Sequence, residues 1–261
     1  MVTTAAALQL AAGLTAALCL AVAGAQAQAA EIKVLGFLSL RPILAELAPA
    51  FERTTGNRLT LAYDSVNSMR GRIAAGETAD VVIASRSALE DLAKLDRLGS
   101  GSIMDLARIS IRLFVRAGTP KPDISSVAAL KRTLLAASSI AFTDPARGAL
   151  AGRAFADALD RLGIADQLKA NSKSIQGLGS EVVAAVAAGT AAIGAAPTND
   201  LTPLPGGIEI VGPLPQELGS DVVISAGVPT NARAPEAAAA LIEFLAAPAA
   251  TPAITAHGME R

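Results

Sequence analysis

Beyond residue 30 the apolar positions switch repeatedly between a spacing of two and a spacing of three to four. Ile32-Lys33-Val34-Leu35-Gly36 reads as a strand, and Ile43, Leu44, Leu47 and Phe51 then fall on one stripe of a helix over Arg41 to Phe51. Leu59, Leu61 and Tyr63 alternate as a second strand, Val66 to Ala75 takes a helical spacing, and Asp80 to Ala84 is the short apolar run of a strand buried on both faces. Arg86 to Arg97 predicts another helix with Leu89, Leu92 and Leu95 inside. Such repeated βαβ units predict an α/β fold, a mainly parallel sheet flanked by helices, with ligands held beyond the carboxyl ends of its strands.

Two segments break the pattern. Ala107 to Arg116 is a long β-rich run closed by Ala117-Gly118-Thr119-Pro120, and a second βα series starts at Val127. Asp221 to Val228 is a similar run after the Pro- and Gly-rich segment Pro203 to Gly219, and two short helices follow it. The chain is therefore expected to build one lobe, cross to a second and return, through two crossing strands at a hinge. The expected lobes are residues 30–114 with 223–261, and residues 115–222, and the cleft between them is the expected site.

Residues 1–29 carry no charged side chain. Their apolar stretch, Ala5 to Ala25, leads into Ala27-Gln28-Ala29, the small-x-small form that signal peptidase accepts, so a signal peptide cleaved after Ala29 is expected. The remainder, roughly 230 residues, is long enough for two lobes with cores of their own. Because no later stretch is apolar for long enough to span a bilayer, the mature protein is expected to be soluble, and the signal peptide directs it to the periplasm; a monomer is expected. The single cysteine, Cys19, lies in the expected leader.

Charge narrows the chemistry. The formal net charge is −1, from 22 basic and 23 acidic residues with no long basic run, which argues against a nucleic-acid partner. His257 is the one histidine and reads as a helix-end residue, leaving no material for a histidine-containing triad or a multi-histidine metal site. No cofactor or metal is expected. Gly177-Leu178-Gly179 lacks the rest of a dinucleotide fingerprint and reads as a turn into a helix near Ser180, itself an N-cap or a polar cleft residue. Ser39 is the positive signal: it stands at a strand-to-helix turn, where a hydroxyl and unpaired backbone N–H groups can hold an anion.

The order of FLSL before a helix, ADVVIAS, a crossing strand ending VRAGTP, TDPARGALAGRAFADALDRLGI and PEAAAALIEFLAAPAA resembles the periplasmic molybdate-binding protein family of ABC transporters. That family has the two-lobed fold of type II periplasmic binding proteins, and the resemblance spans essentially the whole chain after the leader. It implies a solute-binding protein that presents a small anion to an ABC permease. The family's first ligand serine falls on Ser39, beside Leu40. Its second loop falls on Asp64-Ser65-Val66-Asn67, where Val66 takes the aligned position, Asp64 and Asn67 replace glycines and Ser65 sits one place earlier. Its lobe-two loop falls on Asp144-Pro145-Ala146-Arg147-Gly148-Ala149, and its tyrosine has no counterpart in Ile193 to Thr198. The implied ligand residues are Ser39, Leu40, Ser65 and Asn67 from one lobe with Arg147 and Gly148 from the other.

Arg147, with Arg41 and Arg70 if they are more than solvated helix charges, suits a carboxylate better than a molybdate-like oxyanion, because a guanidinium binds carboxylate as a bidentate fork. The wider family also includes members similar to aconitate isomerase, which move a proton within an unsaturated tricarboxylate. On that alternative the chain is an enzyme and needs a base. Asp64, on the turn facing the cleft, is the candidate, with Tyr63 and Asp144 also within reach; their other readings are an N-cap carboxylate, a core side chain and a turn opener. Binding without catalysis is the first expectation.

Overall fold

The computed structural model describes residues 29–147, 150–171 and 175–261; Gly148 and the expected leader up to Gln28 lie outside them. Among the described residues the strands are β1 (Glu31–Phe37), β2 (Arg58–Asp64), β3 (Val81–Ser85), β4 (Met104–Ile109), β5 (Ile111–Arg116), β6 (Ile140–Thr143), β7 (Ile175–Gly177), β8 (Ile193–Pro197), β9 (Ile208–Pro213) and β10 (Val222–Gly227). Among the described residues the helices are α1 (Arg41–Thr55), α2 (Val66–Ala74), α3 (Arg86–Lys94), α4 (Val127–Ala136), α5 (Leu150–Arg161), α6 (Ala165–Asn171), α7 (Gly179–Ala187), α8 (Pro235–Ala246) and α9 (Thr251–Ala256). The strands form two sheets with the same plan, β2-β1-β3-β10-β4 and β7-β6-β8-β5-β9.

In each sheet one strand runs against the other four. β1 is parallel to β2 and β3, whereas β10 is antiparallel to β3 and β4; β6 is parallel to β7 and β8, whereas β5 is antiparallel to β8 and β9. The reversed strand is the one delivered from the other lobe. β4 runs toward the cleft, and β5 continues from it, so β5 starts at the cleft and must run away from it. The passage falls at Ser110, so the expected division after residue 114 would cut β5, which pairs along its length with second-sheet strands. The apparent single β-run from Ala107 to Arg116 is two strands in two sheets.

The C-terminus ties this passage. Glu260 exchanges backbone hydrogen bonds with Arg108, N–H to O distances 2.6 and 2.8 Å, while its carboxylate accepts from Ser110 Oγ at 3.1 Å and Arg112 Nη2 at 2.7 Å. One residue thus holds the chain on both sides of the crossing.

The expected helical stripe on α1 is the buried one, Ile43, Leu44, Leu47 and Phe51, packed on the first sheet. The second sheet has apolar clusters on both faces. Ile111, Leu113 and Val115 point to α4, α5 and α6, and Phe114 points to Val182, Val183 and Val186 of α7, as strand alternation requires. Leu95, expected inside, is 58% exposed. α3 ends at Lys94, and Leu95 is the capping residue before Asp96, which takes a left-handed φ of 54°, so the stripe runs out one residue early.

Buried Asp80 joins three parts of the first lobe. Its Oδ2 accepts from Lys33 N at 2.8 Å, and its Oδ1 accepts from Arg233 N at 2.6 Å and Ala234 N at 3.0 Å, at the entrance of α8. Asp80→Ala strands these N–H groups without an acceptor and is expected to lower unfolding free energy by about 2–5 kcal/mol. Asp80→Asn, which keeps one accepting oxygen, falls between. Urea unfolding of the three proteins checks the order.

Candidate functional site

Between the sheets lies a cleft of about 620 Å³, walled by loops at the carboxyl ends of strands from both lobes. From the first lobe, β1 ends at Phe37 and passes into a tight 3-10 turn, Leu38–Leu40, that opens α1 and exposes Leu38 and Ser39 to the cleft. Leu40 turns the other way into the core, where it is 5% exposed; only its backbone could reach a ligand.

β2 ends at Asp64, and Ser65 caps α2 by accepting from Ser68 N at 3.2 Å. Asp64 and Ser65 both line the cleft, as does Val66. Asp64 is heavily committed: Oδ1 accepts from Ser65 N at 2.7 Å, and Oδ2 accepts from Ser68 Oγ at 2.6 Å and Arg72 Nη1 at 3.1 Å. The Ser68 hydroxyl above all, then the Ser65 N–H, hold its carboxyl below the ordinary range. That is the arrangement of a structural carboxylate, weak as a base. Asn67 faces a side recess of the cleft rather than its centre.

From the second lobe, β6 ends at Thr143, and a 3-10 turn, Pro145–Arg147, precedes α5. Asp144 accepts from Ala146 N at 2.8 Å, the turn role expected for it. β7 passes through Leu178 into α7, where Glu181 Oε2 accepts from Leu178 N at 2.7 Å. The following N–H groups of Gly179 and Ser180 begin the helix without intrahelical acceptors, and both residues line the cleft. After β8 the turn Thr198–Leu201 brings Asn199 and Asp200 to the same wall.

Sequence reasoning missed Thr143, Asn199 and Asp200. Thr143 is buried, lines the cleft, and its Oγ1 has no hydrogen-bond partner among the described residues; Asn199 Oδ1 and Thr198 Oγ1 are likewise buried without partners among them. Buried polar atoms are normally satisfied, so this group at the ends of paired β6 and β8 is suited to a guest. Asp200 Oδ1 accepts from Asn199 Nδ2 at 3.1 Å, and its carboxylate fills the space that a Cβ on Gly179 would need, so any other residue there would displace it. Although Asp200 opens onto the cleft, the enclosing walls remove enough water to push its carboxyl above the ordinary range. The available signal was positional: each residue ends or follows a strand on the side where α/β sheets bind ligands.

The remaining walls are apolar. Leu38 and Leu178, one from each lobe, are 57% and 54% exposed, beside Val66 and Val183. Arg41 lies over Tyr63, its guanidinium carbon 5.1 Å from the ring centroid, and burial raises the Tyr63 phenol against the pull of that charge. Neither lines the cleft. His257 ends α9 as expected, with Nε2 3.2 Å from Glu46 Oε2.

The sequence model for bacterial extracellular solute-binding proteins matches residues 32–260. The chain belongs to that family. A curated relative, aconitate isomerase from a Pseudomonas species, is 33% identical over 234 residues, 88% of this chain and 87% of the relative. Among solved structures, a chain described as the substrate-binding domain of a molybdenum ABC transporter from Clostridium difficile superposes with a TM-score of 0.74 at 21% identity, covering 89% of this chain and 99% of that one. The periplasmic molybdate-binding protein of Azotobacter vinelandii gives a TM-score of 0.64 at 21% identity, covering 88% and 99%. The fold is thus that of the type II periplasmic binding proteins.

The network around Asp64 carries a pH signature. Arg72 also binds Glu77, Nε to Oε2 at 2.6 Å and Nη2 to Oε1 at 2.7 Å, and this pairing holds the Glu77 pKa at about 2, below its ordinary value of 4.5. A carboxylate depressed in the folded state stabilises the fold above its unfolded pKa and loses that contribution as pH falls through the folded value. Stability is expected to decline between about pH 4.5 and 2, and less steeply in Arg72→Met. Urea unfolding at stepped pH values checks this.

Proposed function

We propose that the protein binds a small organic carboxylate in the interlobe cleft, closes on it, and hands it to an ABC permease from the periplasm. Thr143 carries the reading: a buried hydroxyl without a partner among the described residues stands among helix N-termini, in a cleft that also presents the apolar side chains of Leu38, Val66, Leu178 and Val183. A carboxylate head on a hydrocarbon body uses both features, the head taking neutral donors and the body the leucine and valine surfaces. A bare tetrahedral oxyanion has no use for the second. The molybdate-binding neighbours support the fold of this reading, not the ligand.

In a thermal-shift screen of molybdate, tungstate, sulfate and di- and tricarboxylates, the carboxylates are expected to raise the melting temperature by several degrees at saturating concentration. A shift with the inorganic oxyanions alone would reverse the choice. Thr143→Val is expected to weaken binding by about 0.5–1.5 kcal/mol, one neutral hydrogen bond, while leaving unliganded stability equal or higher, because it removes an unsatisfied buried hydroxyl. Calorimetric binding and melting of the variant test both halves.

A second reading is supported by the relative named aconitate isomerase and by Asp200. An isomerase base takes an allylic C–H proton, the electron pair shifts across the double bond, and a proton returns at the far carbon. Asp200, whose carboxyl burial raises above the ordinary range, suits that exchange better than Asp64, whose carboxyl Ser68, Ser65 and Arg72 hold below it. With aconitate in deuterated water, turnover is expected to give the other isomer carrying deuterium, and Asp200→Asn to stop it without abolishing binding. Bound but unlabelled, unreacted aconitate would exclude the isomerase; exchange persisting in Asp200→Asn but lost in Asp64→Asn would return the role to Asp64.

A further inference from the structure

The two acids that line the main cleft, Asp64 and Asp200, work against an anionic guest, yet a recess of about 230 Å³ opens beside it carrying arginines from both lobes. Arg70 and Asn67 of α2 line it with Ser85, Ser87 and Asp91 from the first lobe, and Arg153 of α5 enters from the second, so its two arginines outnumber its one acid. Val66 and Leu150 line both the recess and the main cleft, which places an apolar ridge between the two cavities.

The arginines along this opening are not equivalent. Arg86 is bound by Asp105 at 2.7 Å and Glu90 at 3.0 Å, Arg161 donates to the carbonyls of Leu218 and Gly219, and Arg70 holds Asp91 at 3.2 Å. Asp91 is itself shared with Lys94 at 3.1 Å. Arg153 has no hydrogen-bond or ion-pair partner among the described residues, and it lines this recess and the neighbouring one toward the hinge. An unpaired guanidinium facing a second arginine, with serine hydroxyls and an asparagine amide between, suits a carboxylate that brings its own charge.

Resting on the carboxylate reading above, we infer that Arg153 with Arg70 and Asn67 forms a second subsite, which takes the distal carboxylate of a di- or tricarboxylate whose first carboxylate sits at Thr143 and Ser180. The apolar ridge of Val66 and Leu150 accommodates the carbon chain between. The subsite makes the protein a polycarboxylate binder, and because its groups come from both lobes it is complete only when one molecule spans the cleft.

Isothermal titration of the purified protein with tricarballylate, a saturated tricarboxylate that cannot isomerise, and with crotonate, a monocarboxylate, tests this. Wild type is expected to prefer tricarballylate. Arg153→Gln, an exposed helix position, is expected to weaken tricarballylate roughly 10- to 100-fold, the scale of a charged hydrogen bond, and to leave crotonate unchanged. Equal weakening of both ligands would mean that Arg153 latches the lobes, for instance on Asp91, and would overturn the subsite. No change in either would overturn it while sparing the carboxylate reading. If wild type binds neither, the carboxylate reading itself falls, and the subsite with it.

Discussion

Each sheet of this protein is completed by a strand that belongs, by chain order, to the other lobe, and everything at the site follows from that exchange. A strand arriving from the partner lobe starts at the cleft, so β5 and β10 run against their four neighbours. The other strands then end at the cleft, and their loops and helix N-termini converge there from both sides. The same exchange fixes the pivot. Glu260 holds Arg108, Ser110 and Arg112 across the first passage, so the backbone between β4 and β5 is tied on both sides.

A site built in this way attracts anions through backbone N–H groups and hydroxyls before any arginine is considered. Ser39, Ser65 and Ser180 stand at or beside helix starts, and Thr143 adds a buried hydroxyl with no competing partner. Neutral donors of this kind bind through fixed dipoles, and differential contact with the two lobes is what favours closure. Their weakness is limited discrimination among anions. Discrimination has to come from the body of the ligand, through the leucine and valine walls, and from charges placed farther out.

The backbone plan was legible in the sequence because strand and helix periodicities record which faces are buried. The α1 stripe and the buried run around Val82 are cases in point. Ser39 and Ser65 were legible for a similar reason: a polar residue between a strand and a helix has few other places to be. Thr143, Asn199 and Asp200 were not, since their importance depends on β6 lying beside β8, a pairing between segments some fifty residues apart that no local pattern records. Asp64 shows how a position read from sequence omits its neighbours. Its position suggested reactivity, but Ser68 is one helical turn away and Arg72 two, and these neighbours hold the carboxyl as a cap. Asn67 and Leu40 show that one residue of offset on a turn is enough to move a side chain out of the cleft.

Asp200 is the feature that a simple anion carrier has least reason to keep. An ionised carboxylate at the start of α7 occupies the field that would otherwise hold the ligand, and it repels any anion that enters. The cost is reduced if the group takes up a proton, which the enclosed position already favours, because a neutral carboxylic acid donates a hydrogen bond to the guest instead of opposing it. Entry of a carboxylate would raise the Asp200 pKa further, so binding and protonation reinforce each other. The same reinforcement favours proton transfer, because it eases proton uptake by a carboxyl that stands against a bound substrate. On a shared fold, carrier and isomerase can thus differ by whether the proton at this one group stays in place or moves.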